Sequence, residues 1–379
     1  MNRIDHLDGL RGLAALWVLI GHCMILTGFH LPVLGQPDLG VDLFILLSGF
    51  LMTFQYDLRK GREDWGAPAT WIGFWVRRFF RLSPLYFCLL IVALMAGTQM
   101  YADRLLIDNF LHHAPQSAER YTDGSAKNIV LHLTYAFGLL PDYAFRTPLP
   151  DWSLGLEMQF YAVFPFAILL VRKTGWLRAA VVIAIIAAVV AYAAKAGGVA
   201  FPMPSFLPLK MHLFLAGMLI AAALDGQRLA YLGVAVLLAA IPIGGQNDAL
   251  HLVVRETLLI GFFALVHGRT LPGIERVSRT LGSPVFHWLG ELSFGAYLLH
   301  LLVLHRVAAW TIATWDVGMS SAARFGVTLM IVAPVVYAIA CATYFLIERP
   351  GQSLGRSILA HFGTRRLARQ TAAEEIAAP

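Results

Sequence analysis

Apolar stretches of close to twenty residues, separated by short polar segments, run the length of the chain. They fall near 10–29, 38–56, 80–99, 153–171, 176–195, 206–225, 229–245, 250–267, 289–311 and 324–347. A helix rises ~1.5 Å per residue and a bilayer's hydrocarbon core is ~30 Å thick, so ~20 apolar residues cross it. The pattern predicts an all-α, polytopic membrane helix bundle with about ten transmembrane helices. Residues 1–350 form that membrane domain, and 351–379 read as a basic cytoplasmic tail, a surface helix that frays. The longest polar interval, 100–152, holds His112, His113, Asp123 and Asp151. It also holds an apolar piece from Asn128 to Leu140, too short to cross and expected to be re-entrant or interfacial.

An even number of spans puts both termini on one side, and the basic residues decide which. With the termini inside, 20 of the 29 Lys and Arg residues fall on inner segments, among them Arg3, Arg269, Arg365, Arg366, Arg369 and the cluster at 77–81. Cytoplasmic N- and C-termini follow. Composition agrees: 58% of residues are hydrophobic and 14% charged, with mean hydropathy +0.66, whereas soluble domains carry about 25% charged residues. The net charge of +6 reads as topology-setting arginine rather than a nucleic-acid surface. Cys23, Cys88 and Cys341 all lie in apolar spans and imply no disulfide framework. Asp5, Asp8 and Arg11 interrupt any signal-peptide pattern, so the first stretch is expected to stay as a span.

Candidate chemistry sits inside these spans. Arg11 and His22 are eleven residues apart, nearly three full turns, which puts them on one helix face roughly 16 Å apart. His22 can exchange a proton near neutral pH, and Arg11 offers a planar donor fork for phosphate or carboxylate. They read equally as a satisfied polar residue and a topology anchor. Asp42 lies at the outer end of the second stretch, where it would either orient His22 or cap its helix. Arg78 and Arg81 share a face at i and i+3 just before Pro84, suited to lipid phosphate or to a soluble polyanion. Glu157, one turn beyond Trp152 and Ser153, is a carboxylate among apolar residues, fit for acid or base work or for pairing with an arginine of another helix. Ser153 is placed to cap that helix. Ser293, Tyr297 and His300 form one polar stripe at i, i+4 and i+7, while Glu348 and Arg349 read as the close of the last span. No Walker loop, nucleophile elbow, dinucleotide fingerprint or zinc motif occurs, so neither a metal centre nor an ATP-driven pump is expected.

Taken in order, these motifs resemble the acyltransferase 3 family of integral membrane acyltransferases that modify bacterial surface sugars. The likeness covers roughly residues 3–350: Arg11 with His22, Arg78 and Arg81 ahead of Pro84 and Tyr86, and Trp152-Ser153-Leu154 with Glu157. Gly40-Val41-Asp42-Leu43-Phe44, Ser48-Gly49 and Tyr297-Leu298-Leu299-His300 also fit. The resemblance implies O-acyl transfer, most simply of acetyl, from a cytosolic acyl-coenzyme A to a hydroxyl of a cell-surface glycan or its lipid-linked precursor, at the bacterial inner membrane. It implies His22, Glu157 and Asp42 as catalytic groups, with Arg11, Arg78 and Arg81 binding the donor. Ser48, Trp152, Ser153, Tyr297 and His300 would line the substrate pocket, with Ser48, Tyr297 or Trp152 steadying an oxyanion. Acyl-coenzyme A enters as co-substrate; no permanently bound cofactor is implied. Membrane lipids are the remaining partner, nucleic acid is not one, and there is room for a homodimer. No fused hydrolase-like domain is expected. Two other classes stay open: a proton-coupled carrier of a lipid or sugar, and a non-catalytic subunit of a glycan assembly.

Overall fold

The computed structural model describes residues 6–226, 228–268, 272–315 and 318–361. Arg3, Arg269 and the tail from 362, with Arg365, Arg366 and Arg369, lie outside the described residues. Within them there are helices and no strand. The first half holds α1 (His6–Thr27), α2 (Pro37–Arg59), α3 (Pro68–Leu111), the short α4 (Glu119–Thr122) and α5 (Ala126–Leu133), α6 (Trp152–Thr174) and α7 (Trp176–Ala196). The second holds α8 (Met211–Ala222), α9 (Arg228–Ala239), α10 (Ala249–His267), α11 (Pro272–Leu281), α12 (Pro284–Glu291), α13 (Ser293–Trp315) and α14 (Ser321–Thr343).

Eight of these helices are long and apolar enough to cross a membrane. The stretches at 206–225 and 229–245 instead form α8 and α9, of 12 residues each. All of α8 is buried, so it needs no full crossing length: protein, not lipid, surrounds its ends. At 44 residues α3 reaches roughly 66 Å, well beyond one bilayer core. The apolar piece from Asn128 folds as α5 followed by a 3₁₀ turn at Ala136–Leu139, with Asn128, His132 and Phe137 buried.

At the centre stands α1, packed on α2, α12, α13 and α14. Small residues permit this. A methyl group on Gly12 would come 2.7 Å from Leu289 Cβ, and one on Gly49 would meet the backbone of Phe214 in α8. The outer helices invert the soluble pattern: α7 buries Ala179, Ala180, Ala184, Ala187 and Ala191, and presents Val182, Ile185, Ile186 and Val189 outward. Van der Waals contact between small residues joins helices where lipid removes the hydrophobic drive to do so.

One expectation fails at the end of the last span. Glu348 and Arg349 do not close it: a π-helical turn, Tyr344–Glu348, joins α14 to a continuation, so that one helix runs Ser321–His361. The start of the tail is that helix's mostly exposed end, resting on Pro84 and Phe80 of α3 through Gly351 and Gly355.

Candidate active site

Helices α1, α2, α3, α6 and α13 enclose a cavity of about 420 Å³. Its walls are mostly apolar, with Leu51, Phe54 and Phe214 among them. Three cations enter it: Arg11 from the second turn of α1, and Arg78 and Arg81 from successive turns of α3. Arg78 donates to Gln55 Oε1 of α2, and its guanidinium lies 5.6 Å from the Phe74 ring centre and 5.7 Å from that of Tyr161. Arg11 comes no nearer than 4.0 Å to Asp8. Arg81 has no hydrogen bond or ion pair among the described residues. Several guanidinium donors facing one cavity are therefore unused, which suits an anionic ligand with more than one phosphate.

Glu157 faces the same cavity. Its Oε1 accepts from the Ser48 hydroxyl at 2.8 Å and from the Tyr161 hydroxyl. Neither of the sequence alternatives for Glu157 describes this: it is not paired with an arginine within 4.0 Å, nor is it left without partners. Two hydroxyl donors hold it, and Arg11 and Arg78 feel its field from further off.

His22 lies outside the cavity wall. Arg11 and His22 stand five residues from opposite ends of α1. The His22 ring packs 4.9 Å from that of His300, and His300 packs 6.0 Å from Tyr297, which does line the cavity. A single cleft shared by Arg11 and His22 is thus not what the structure shows. From the cavity wall the contacts run from Tyr297 to His300 and from His300 to His22, and the Tyr297 ring is anchored because its hydroxyl donates to Pro150 O at 2.7 Å and meets Ser153 Oγ at 2.7 Å. The tautomer of His22 follows from its contacts. Val18 O, 2.9 Å from Nδ1, can only accept, so Nδ1 carries the proton and also reaches His300 Nε2 at 3.2 Å. His300 in turn donates from Nδ1 to Tyr297 O at 2.6 Å. Nε2 of His22 keeps its lone pair, which is the state a general base requires.

Three comparisons bear on what such a site belongs to. Residues 4–347 match the family model described as an acyltransferase domain. The chain belongs to this acyltransferase family. It is 26% identical over 342 residues to the acyltransferase MdmB of Streptomyces mycarofaciens, covering 80% of this chain and 81% of that one. It is 32% identical over 198 residues to the putative membrane-bound transacylase BcsY of Komagataeibacter xylinus, covering 52% of this chain and 45% of that one. A putative O-acetyltransferase of Staphylococcus aureus (strain COL) is 32% identical over 170 residues, 44% of this chain and 24% of its own length. The match thus spans less than half of those last two relatives. No solved structure was found to match.

Within this family member, several sequence assignments need correction. Asp42 does not touch His22. It is 3% exposed, and its carboxylate binds Lys210 Nζ at 2.5 Å and Arg255 Nε at 3.1 Å, a closed ion triad joining α2, the N-cap residue of α8 and α10. Two buried cations outcompete a neutral imidazole for one carboxylate. Glu157 likewise does not orient His22; His300 does. Ser48 and Tyr297 have given their only protons to Glu157 and Pro150 O, so neither is a ready oxyanion donor. Trp152 is buried and lies outside the cavity lining. Ser153 sits inside α6 and bonds Tyr297, while Asp151 holds the N-cap position without a side-chain cap bond. Burial pushes the Asp151 carboxyl up from the ordinary aspartate range, ahead of the opposite pull from His132 and the bonds from Thr147 and Tyr86. In the polar stripe of α13, Ser293 and Tyr297 line the cavity and His300 does not.

Sequence reasoning missed Gln55, Tyr161 and Lys210. Tyr161 was legible in principle, four residues after Glu157 on the same face. Gln55 and Lys210 carry no local signal. At the mouth, Asp8, His287 and Glu291 bring ligand atoms within 4.8 Å of one another and could hold a cation. His287 Nδ1 already bonds Asp8 Oδ2 at 3.2 Å, and the Tyr344 hydroxyl donates to Glu291.

Proposed function

We propose that the protein is a membrane O-acyltransferase of the bacterial inner membrane, moving an acyl group, most simply acetyl, from a cytosolic acyl-coenzyme A to a hydroxyl of a surface glycan or its lipid-linked precursor. The observation that carries this reading is the cavity walled by Arg11, Arg78 and Arg81 beside a histidine whose tautomer leaves Nε2 unprotonated. Coenzyme A is a polyanion on a long flexible arm. Its phosphates meet the guanidiniums, and the pantetheine arm follows the apolar wall toward Tyr297.

His22 Nε2 then takes the proton of the acceptor hydroxyl as its oxygen attacks the thioester carbonyl. The tetrahedral adduct collapses, the carbon–sulfur bond breaks, and the imidazolium returns its proton to the departing thiolate. His300, accepting at Nε2 from His22 Nδ1, shares the charge that forms in between. For the thioester to meet His22, the Tyr297 ring must turn aside, so the reading includes that side-chain rotation. A ring tethered by two hydrogen bonds keeps water from the thioester until the donor displaces it.

The test is thiol release. Membranes holding the protein, given acetyl-coenzyme A and surface glycan acceptor, release free coenzyme A and gain acetyl ester on the glycan by mass spectrometry. A protein acting as a proton-coupled carrier shows gradient-dependent movement of lipid or sugar with no thiol release, and that result overturns the reading. So does a protein inert in both assays, the outcome expected of a non-catalytic subunit.

A further inference from the structure

The two hydrogen bonds that hold the Tyr297 ring end on one short segment. Its hydroxyl donates to Pro150 O at 2.7 Å and meets Ser153 Oγ at 2.7 Å, and Asp151 lies between those two partners in the chain. Asp151 is 2% exposed and stands at the N-cap position of α6, yet its carboxylate makes no cap bond. A buried carboxylate that forgoes the nearest free backbone donors must be held by other groups.

Three side chains from outside α6 meet it. Its Oδ2 accepts from the Thr147 hydroxyl at 2.8 Å and from the Tyr86 hydroxyl of α3 at 3.0 Å. His132 Nε2, of α5, is buried 3.8 Å from the same oxygen, beyond hydrogen-bond reach. Between Thr147 and Asp151 the chain runs Pro148-Leu149-Pro150, all buried, with φ locked at both prolines. Pro150 O and the Asp151 Cα belong to one planar peptide unit, so fixing Asp151 aims that carbonyl. Tyr86 lies two four-residue steps beyond Arg78 on α3, with the cavity-wall residue Leu82 between them. One face of α3 therefore carries both a cation of the cavity and the anchor of Asp151.

We propose that Asp151 is a positioning residue for Tyr297: pinned by Thr147 and Tyr86, it fixes the Pro150 carbonyl and the start of α6 that tether the ring, so that a bound thioester meets His22 with an acceptor rather than with water. The inference rests on the reading in which the Tyr297 ring turns aside during acyl transfer. With the tether loosened, water takes the acceptor's place. Its oxygen bonds to the thioester carbonyl carbon, its proton passes through His22 to the departing thiolate as the carbon–sulfur bond breaks, and acetic acid and coenzyme A leave.

The experiment uses the full chain in nanodiscs. It measures thiol release from acetyl-coenzyme A alone, acetyl transfer to glycan extracted from the surface of the source cells, and the thermal midpoint. The quantity read is the ratio of the first to the second, which does not depend on how many molecules are folded. Asp151→Ala removes the shared acceptor, and the ratio is expected to rise about threefold to tenfold. Asp151→Asn still offers one oxygen to both hydroxyls and stays within about twofold of wild type. Tyr297→Phe loses the tether itself and raises the ratio by a similar factor; adding Asp151→Ala to it raises the ratio less than about twofold further. If Asp151→Ala does not fold, Thr147→Val and Tyr86→Phe, each removing one donor hydroxyl, carry the same comparison. A merely structural residue would lower the thermal midpoint and leave the ratio in place, which overturns the proposal. Asp151→Asn behaving as Asp151→Ala overturns it too, as does a full further rise in the Tyr297→Phe background. A raised ratio in Tyr297→Phe with an unchanged ratio in Asp151→Ala overturns this inference alone. Wild-type transfer with an unchanged ratio in Tyr297→Phe overturns the turning of the ring, and this inference with it. A wild-type protein that releases no thiol in the presence of the glycan overturns the acyl-transfer reading as well.

Discussion

Replacing Asp42 with asparagine separates a structural role from a catalytic one at the residue where sequence and structure disagree most. The carboxylate is the shared partner of Lys210 Nζ at 2.5 Å and Arg255 Nε at 3.1 Å, and the two cations are 2% and 4% exposed. Breaking a buried ion pair by removing one member costs about 3–5 kcal/mol, because an uncompensated charge remains inside. Arg255 keeps weaker contacts to Ala239 O, Gln246 O and Asn247 Oδ1, at 3.4, 3.3 and 3.5 Å. Lys210 has no other hydrogen-bond or ion-pair partner among the described residues. The loss should therefore sit near the upper part of that range, about 4 kcal/mol, a large share of the ~5–15 kcal/mol that holds a typical domain together. Thermal unfolding of the detergent-solubilised protein should drop by about 5–10 °C. Enzyme that remains folded should keep its turnover per molecule, since no atom of Asp42 meets His22 or the cavity. Changing Asp42, Lys210 and Arg255 together to apolar residues of similar volume should destabilise less than the single change. An Asp42→Asn protein with an unchanged thermal midpoint and abolished turnover would refute this argument and restore the catalytic assignment.

Other outcomes follow from the same geometry. His22→Gln should lower turnover by at least about 10²-fold with the donor KM and the thermal midpoint retained; turnover within tenfold of wild type excludes His22 as the base. Arg78→Lys should raise the donor KM about tenfold, because an ammonium cannot both reach Gln55 and lie against the Phe74 and Tyr161 rings as the planar guanidinium does. An unchanged KM in the thiol-release assay returns Arg78 to a topology anchor. Tyr297→Ala should open the cavity to the histidine pair and raise acceptor-independent thiol release severalfold, whereas no increase means the ring is not the barrier.

The helices were legible because each long apolar stretch has one low-energy solution in a bilayer, and each of the ten expected spans coincides with a helix. Their ends were less so: α8 and α9 came out at 12 residues, since burial inside protein relaxes the length that lipid demands. In the site, Arg11 and Glu157 could be picked out as charges inside spans, and Arg78 and Arg81 as a pair on one helix face suited to an anchor or to a polyanion; all four line one cavity. Their partners could not. Ser48 reaches Glu157 across 109 positions of chain, and His300 reaches His22 across 278.

By itself the sequence determined that this chain folds as membrane helices, which residues carry charge within them, and the family to which it belongs. Hydropathy and residue type are local properties, and a bilayer converts them directly into spans. Only the tertiary structure decided which partner each carboxylate takes: Asp42 went to Lys210 and Arg255, and Glu157 to the hydroxyls of Ser48 and Tyr161. A buried charge is neutralised by whatever lies within a few ångströms, and that distance is set by how helices pack, which no stretch of sequence contains.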